Sequence, residues 1–513
     1  MAMSADELRQ VIQEMMPDLD DRARGRMASS IVSRAARDGS GWVPAALDDT
    51  AVGEAVAFAQ AAAQAGQADP ADVDEHLRRG NSAFLRHDYA AAYRIFAALI
   101  PAIAEGEIDL GQDEMVDEVL GVDVGECAIR LVVSAYMTAD PARRPEAVRT
   151  AIDETSGVGY FAAPIREMER AAGKALPGLE DFLPRWRALL ESEAAREQAT
   201  HWDRDADRWL REVVERLGGA DGLARLARST RRANDLRAWC ESLAAAADWP
   251  RALAAFEEAA ASVTDSEHAR GEFLDGAALA AQEMGEEDVS PWLERAWRAE
   301  PTMARLRRWL GAARSGESLR RRATQALDAC PPEAQRQRAF LHLVQGDVGE
   351  AAQLLKAAPG LGWSESEHPG HLVFPLFQRL LGGSGRLAGA TDPAEWAMDR
   401  DDFELFVDDR DDEPRLATPK PEDILRLAGV EGVSSAAART AALAAMRTAA
   451  ERRVAGVAGA KRRQHYGHAA SLVAACVASD GSPEATRWAE GLRTEYRRFR
   501  ALCAEFDRRT RGA

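Results

Sequence analysis

Cysteine is scarce in this chain and badly placed for bridging. Cys127, Cys240, Cys330, Cys476 and Cys503 are odd in number, widely separated, and form no CxxC pair. That pattern supports neither a zinc knuckle nor a disulfide framework, and it fits reduced, buried thiols in a cytoplasm. Lysine is scarcer still, with only Lys174, Lys356, Lys420 and Lys461 among 65 cationic residues. An arginine-dominated, alanine-rich composition reads as the bias of a GC-rich bacterial genome. Positive charge is in deficit: 65 Lys and Arg face 84 Asp and Glu, for a net charge of −19. Phosphate contacts dominate nucleic-acid affinity, so nucleic acid is not an expected partner, and an anionic membrane surface is equally disfavoured. No run approaches the roughly 18 apolar residues of a spanning helix. The acidic, amphipathic start MAMSADELRQVIQEMM lacks the basic opening and apolar core of a signal peptide. A cytoplasmic protein is expected. Also missing are GxGxxG after a strand, a Walker phosphate loop, a GxSxG elbow and HExxH.

What is present is helical. The chain is 46% hydrophobic, much of it Ala, with few β-branched runs, which favours helix almost throughout. Ala206, Trp209, Leu210, Val213, Val214 and Leu217 fall at i, i+3, i+4, i+7, i+8 and i+11, an unbroken apolar stripe that Gly218-Gly219 should end. Ser482-Pro483-Glu484 is a strong helix start. Further helices are expected over Ile108–Leu120, Cys127–Tyr136 with Arg130 embedded, His371–Leu381, Ser435–Arg453 and Arg462–Ala478.

Leu77–Leu99, LRRGNSAFLRHDYAAAYRIFAAL, reads as two short amphipathic helices around a turn at His87-Asp88-Tyr89. Gly80 and Ala92 would let the backbones approach, with Phe96 filling the space beyond. Here the chain resembles a tetratricopeptide repeat: Gly80, Ala92 and Phe96 fall at that family's small, small and aromatic spacing. The family's early Trp is absent and its closing Pro is displaced to Pro101. Looser echoes follow at Ala252/Phe256/Ala259, at Leu293/Ala296 before Pro301, and at Ala351/Leu355/Ala358. They are not spaced by 34 residues, so the expectation is irregular stacked hairpins rather than a regular array. GWSESEHPGH and YGHAASLVAA…LRTEYRRFRAL also resemble helical regions attached to bacterial SWIM-type zinc-finger proteins. The finger's own Cys/His signature is absent, so its chemistry is not implied.

The expected fold is all-α: irregular stacked helical hairpins, an α-solenoid similar to tetratricopeptide proteins, with a C-terminal helical unit. The expected parts are an N-terminal helical segment 1–70, a helical-repeat region 71–390, an acidic and Pro-containing boundary loop 391–421, and a C-terminal helical unit 422–513.

Candidate chemistry is thin. His368 and His371, with Glu365 and Glu367 nearby, offer imidazole and carboxylate ligands, but no third ligand is identifiable and a Pro369-Gly370 turn needs no metal. His465 and His468 share a helical face beside Lys461, Arg462 and Arg463, which favours a solvated or capping role. The acidic run Asp399–Glu413 lacks the central Gly of an EF-hand loop and reads as solvated. Arg320-Arg321-Arg322 and Arg452-Arg453 read as ion-paired helix faces. Trp202, Trp209, Trp239, Trp249, Trp292, Trp297 and Trp309 read as core, with a peptide-recognising groove as the sharper alternative. No catalytic, cofactor or metal residues are assigned and no cofactor is expected. The expected function is a non-enzymatic scaffold or adaptor holding a peptide or partner protein in a helical-repeat groove. The alternative is a metal-dependent or other helical enzyme with dispersed catalytic residues, for which His368 and His371 are the best clue.

Overall fold

The computed structural model describes residues 10–11, 14–37, 43–111, 116–196, 204–263, 266–382, 415–433 and 435–510. Among them no strand occurs; the β-pairing is an isolated bridge between Gln67 and Asp109. The acidic run Asp399–Glu413, Trp202, the Gly39-Ser40-Gly41 break and most of the boundary loop 391–421 lie outside the described residues. The chain divides into two compact units, Met1–Thr230 and Arg231–Ala513.

In the first unit the α-helices are α1 (Asp21–Arg37), α2 (Asp49–Ala65), α3 (Pro70–Leu85), α4 (Tyr89–Ala104), α5 (Val116–Val119), α6 (Val124–Thr138), α7 (Arg144–Glu154), α8 (Pro164–Ala172), α9 (Leu179–Arg196) and α10 (Asp205–Thr230). The second unit begins with α11 (Ala233–Ala245), α12 (Trp249–Ser262), α13 (Glu267–Glu283), α14 (Ser290–Ala299), α15 (Met303–Gly311), α16 (Gly316–Ala329), α17 (Gln335–Val344), α18 (Val348–Ala357) and α19 (Gly370–Leu380). It continues with α20 (Pro421–Leu427), α21 (Ala436–Gly459), α22 (Tyr466–Asp480), α23 (Pro483–Glu495) and α24 (Arg500–Thr510). Helices pack mainly on their sequence neighbours: α3 on α4, α12 on α13, α13 on α14, α17 on α18, α21 on α22.

The α3–α4 hairpin is built as its residues dictate. Ala92 and Phe96 are fully buried, and a Cβ added at Gly80 would fall 2.6 Å from the Phe96 ring. Only a hydrogen fits there. The two echoes vary this joint in a compensating way. The position sixteen residues before the large side chain is Gly80 against Phe96, Cys240 against Phe256 and Ala339 against Leu355. Where the small residue grows to Ala339, the large one shrinks to Leu355, and both stay fully buried. Where it is Cys240, Phe256 is half-buried, and its ring lies 2.3 Å from where a Cβ on Gly276 would sit. Fixed inter-helix volume explains the trade.

The three turns are also one turn. His87, Ala247 and Gly346 adopt left-handed φ of 65°, 53° and 82°. Each is followed by an aspartate of nearly identical backbone geometry: Asp88 (−82°, 72°), Asp248 (−83°, 65°) and Asp347 (−85°, 76°). The aspartate N–H bonds back to the ending helix, to the carbonyls of Ala83, Leu243 and His342 at 3.0, 3.0 and 2.8 Å, as in a Schellman cap. Asp88 and Asp347 then cap the next helix by accepting from the N–H of Ala91 and Glu350, both at 3.1 Å.

Some expectations shift. Of Ile108–Leu120 only Val116–Val119 is helical among the described residues, because Ile108 and Leu110 are buried and Asp109 bridges to Gln67. Within α10 the stretch opened by Asp205 ends as expected at Gly218-Gly219, where Gly219 leaves the helical conformation (φ 53°, ψ −151°), and a second helical stretch follows directly to Thr230. A buried Glu212 on α10 accepts from the N–H of Ile165 and Arg166 and caps α8 from a distance. The cysteines form no disulfide, and burial pushes Cys127 and Cys240 up to about 12.

Two outcomes follow. Phe96→Ala should cost roughly 3–5 kcal/mol in denaturant unfolding, and Gly80→Ala about 1–3 kcal/mol. Gly80→Ala with Phe96→Leu should cost clearly less than the two single changes added together; strict additivity would show that the ring and the glycine do not share one space. Ala247→Gly should raise stability by about 1 kcal/mol, because glycine carries no left-handed penalty. A drop in melting temperature would contradict that account.

Candidate functional site

The histidines singled out above meet around one indole. Trp363 is buried, with the rings of His368, His468 and His371 centred 4.9, 5.0 and 5.9 Å from its own. His371, from α19, and His468, from α22, stack at 6.2 Å. Arg453 of α21, 5% exposed, donates from Nε to His468 Nδ1 at 3.3 Å and lies 6.0 Å from the indole centre. Close backbone approach makes this possible. A Cβ at Gly370 would fall 2.8 Å from both His368 and Trp363, and one at Gly360 would fall 2.0 Å from the Arg452 carbonyl oxygen.

Both ring nitrogens of His368 are committed. Nδ1 accepts from the Gly370 N–H at 3.0 Å, and Nε2 faces the Pro359 carbonyl at 3.0 Å. With Nδ1 accepting, Nε2 carries the proton and donates. A ligand nitrogen needs a free lone pair, so His368 cannot join His371 on a metal in this arrangement. Among the described residues no three His, Cys, Asp or Glu are grouped to hold one. His465 lies in the 3-10 turn before α22 and does not join the ring cluster on Trp363, though its charge acts on His468. His468 belongs to the buried cluster, which corrects the solvated or capping role expected of it.

Burial favours neutral imidazoles at His368 and His468. Burial holds His468 well below the usual imidazole range, and Arg453 and the neighbouring histidines add to it. His368 is lowered by burial, against the opposing bond to Pro359. Arg453 itself is lowered to about 10 by burial, with Arg462 contributing. A base with a depressed folded pKa must be charged on unfolding at low pH, so its contribution is intact above about 6.5 and is lost as pH falls below that.

The arginine clusters were expected to pair with acids. Arg452 instead donates to the carbonyls of Ala357 and Ala358, both at 2.9 Å, and Arg322 to the Trp309 carbonyl at 2.8 Å and Ser290 Oγ at 2.6 Å. They tie helix ends together. Most tryptophans are also committed to the interior. Trp209, Trp239, Trp297 and Trp309 are buried, and Trp297 stacks on Trp309 at 5.2 Å while donating to Gln337 Oε1 at 2.8 Å. They line no open groove.

The open feature lies elsewhere, where α12, α13 and α14 meet. A cleft of about 300 Å³ opens there, with Ala260, Ala261 and Leu274 among its lining residues and Arg270, Arg295 and Arg298 alongside them. The two alanines are too small to fill the gap between helices, which leaves the space. Arg295 and Arg298 share one face of α14. Arg295 donates to Glu257 at 3.1 Å and Arg298 to Glu294 at 2.8 Å. Arg270, exposed on α13, makes no ion pair with any described residue.

Neighbouring acids are occupied by other cations. Arg305, 6% exposed, binds Asp275 at 2.7 Å and also Glu300; His268 links Glu300 at 3.1 Å to Glu272 at 3.2 Å; Glu272 pairs with Arg237. This chain of charges locks α11, α13 and α15 together. It also leaves the cleft's arginines less neutralised than the overall charge of −19 suggests. Nearby, residues 415–420 run without regular structure against the helices. Arg308 Nε donates to Thr418 Oγ1 at 2.8 Å, Gln282 Nε2 reaches the Arg415 carbonyl at 3.5 Å, and Pro419 occupies the space a Cβ on Gly311 would need.

The cleft arginines were not singled out from the sequence. Arg295 and Arg298 are legible as one helix face, but Arg270 joins them only through the packing of α13 on α14. Compared with known proteins, the chain matches no family model and no curated protein sequence.

The histidine cluster sets a pH dependence. Unfolding free energy should fall as pH drops from 7.5 to 5.5, and His468→Gln should flatten that slope. An unchanged slope in urea titrations of the variant would remove His468 from the account.

Proposed function

We propose that this chain is a non-enzymatic interaction scaffold whose helical hairpins stack as an irregular solenoid similar to tetratricopeptide arrays. The surface formed by α12–α15 holds an extended segment of a partner protein. The observation that carries this reading is the strap 415–420. The helical surface already binds one extended stretch, with a side-chain hydrogen bond from Arg308 to Thr418 and a proline seated on a side-chain-free glycine. Those are the elements of peptide recognition: a few polar anchors and small pockets. The arginine-lined cleft lies on helices of the same surface and is open. Helical hairpins supply wide surfaces without catalytic apparatus, which suits a scaffold. The metal-enzyme alternative loses its best clue, since both His368 nitrogens are taken up by the backbone. No described helix is long and apolar enough to cross a membrane.

A photo-crosslinking residue placed at Ala261, inside the cleft, should trap a discrete partner protein in cells that make this chain. The same residue at the exposed Glu490 on α23 should not. Identical adducts at both positions, or none at Ala261, would sink the reading.

A further inference from the structure

We infer that the cleft between α12, α13 and α14 is a receptor for an oxyanion, a carboxylate or a phosphate, carried on an acidic peptide segment of the partner. The inference rests on the scaffold reading for the peptide and on the cleft itself for the anion. Arg270 supplies a guanidinium with no acidic partner among the described residues. Arg295 and Arg298 bring two more from the facing helix, three residues apart. Each guanidinium has five N–H donors in a planar fork; Arg295 and Arg298 are each bonded to a single glutamate, so donors remain on both. Planar forks match the geometry of carboxylate and phosphate oxygens.

The surroundings favour an anion in two further ways. Leu274 and Ala260 give the cleft an apolar wall, which lowers the local dielectric and strengthens a charge-assisted bond. Beyond Glu257 and Glu294, which each take one bond from Arg295 and Arg298, the acids Asp275, Glu272 and Glu300 are held by Arg305, Arg237 and His268. On a chain of net charge −19, an acidic segment is repelled over most of the surface. Attraction confined to this cleft would give register as well as affinity. About 300 Å³ accommodates one acidic side chain and its neighbours, not a folded domain.

Fluorescence anisotropy on the full chain tests this with three labelled eight-residue peptides: Glu-rich, the same with one phosphoserine, and Lys-rich. The Glu-rich or the phosphoserine peptide should bind, the Lys-rich should not, and binding should weaken as salt rises from 50 to 500 mM. Arg270→Glu should weaken binding about tenfold or more, the loss expected for one charge-assisted pair. Arg487→Glu, an exposed arginine on α23, should leave it unchanged. Competition by inorganic phosphate assigns the site to a phosphoryl group; binding of the Glu-rich peptide that phosphate does not displace assigns it to a carboxylate. Equal binding by the Arg270→Glu variant, or an equal loss in Arg487→Glu, overturns the inference. If the Ala261 crosslink to a partner persists in the Arg270→Glu protein, the oxyanion receptor fails while the scaffold stands. If peptides bind but nothing crosslinks in cells, the scaffold fails while the receptor stands. Circular dichroism of both variants, with charges changed only on exposed positions, should match the parent chain.

Discussion

The structure depends on how closely two helices can approach just after a left-handed residue reverses the chain. At His87, Ala247 and Gly346 the same turn appears, closed by the same backbone bond and followed by an aspartate of the same geometry. That turn fixes the distance between the helices it joins. Volume at the joint follows the same trade: a glycine stands opposite a buried phenylalanine, an alanine opposite a leucine, and a cysteine opposite a phenylalanine that is half-buried and presses on Gly276. Glycine is required only where the ring presses on the backbone, as at Gly80 and Gly276; at the turn itself the left-handed residue need not be glycine, and two of the three are not.

Polar groups buried in this fold are used to join helices. Asp74 on α3 accepts from the N–H of Gly121 and Val122 at 2.8 and 3.0 Å, Glu212 caps α8 from α10, and Arg453 reaches the Gly360 carbonyl; the more exposed Arg322 and Arg452 reach carbonyls of other segments in the same way. Removing water from a charge costs free energy unless hydrogen bonds replace it, and for Asp74, Glu212 and Arg453 backbone groups of other segments supply those bonds. The histidine cluster follows the same logic. Three imidazoles pack on Trp363 beside a cationic arginine, and burial favours the neutral form of His368 and His468 there.

A surface rich in charge becomes selective only where those charges are not already matched. The Arg305 network takes up carboxylates of α13 and the end of α14, and the cleft next to it keeps Arg270 without an acidic partner among the described residues. Binding capacity there is a consequence of which pairs form, and the counts of acidic and basic residues say nothing about it.

Much of the helical content was legible in the residues alone. The Ala206–Leu217 stripe, the Ser482-Pro483 start and the Gly80/Ala92/Phe96 hairpin depend on contacts within a turn or between adjacent helices, and short-range periodicity encodes those. The irregular spacing of the hairpins was also visible. Other features required the fold. The short α5 does not follow from local pattern, because distant packing decides it. His468 looked like a solvated neighbour of His465, yet its ring packs edge-on against Trp363, more than a hundred residues away in the chain. The cleft is the clearest case. Its three arginines belong to two helices and its space to two alanines of a third, and no one-dimensional spacing relates them. Sequence determines which face of each helix is apolar; which faces meet, and what charge is left unmatched where they do, is set by the packing of helices far apart in the chain.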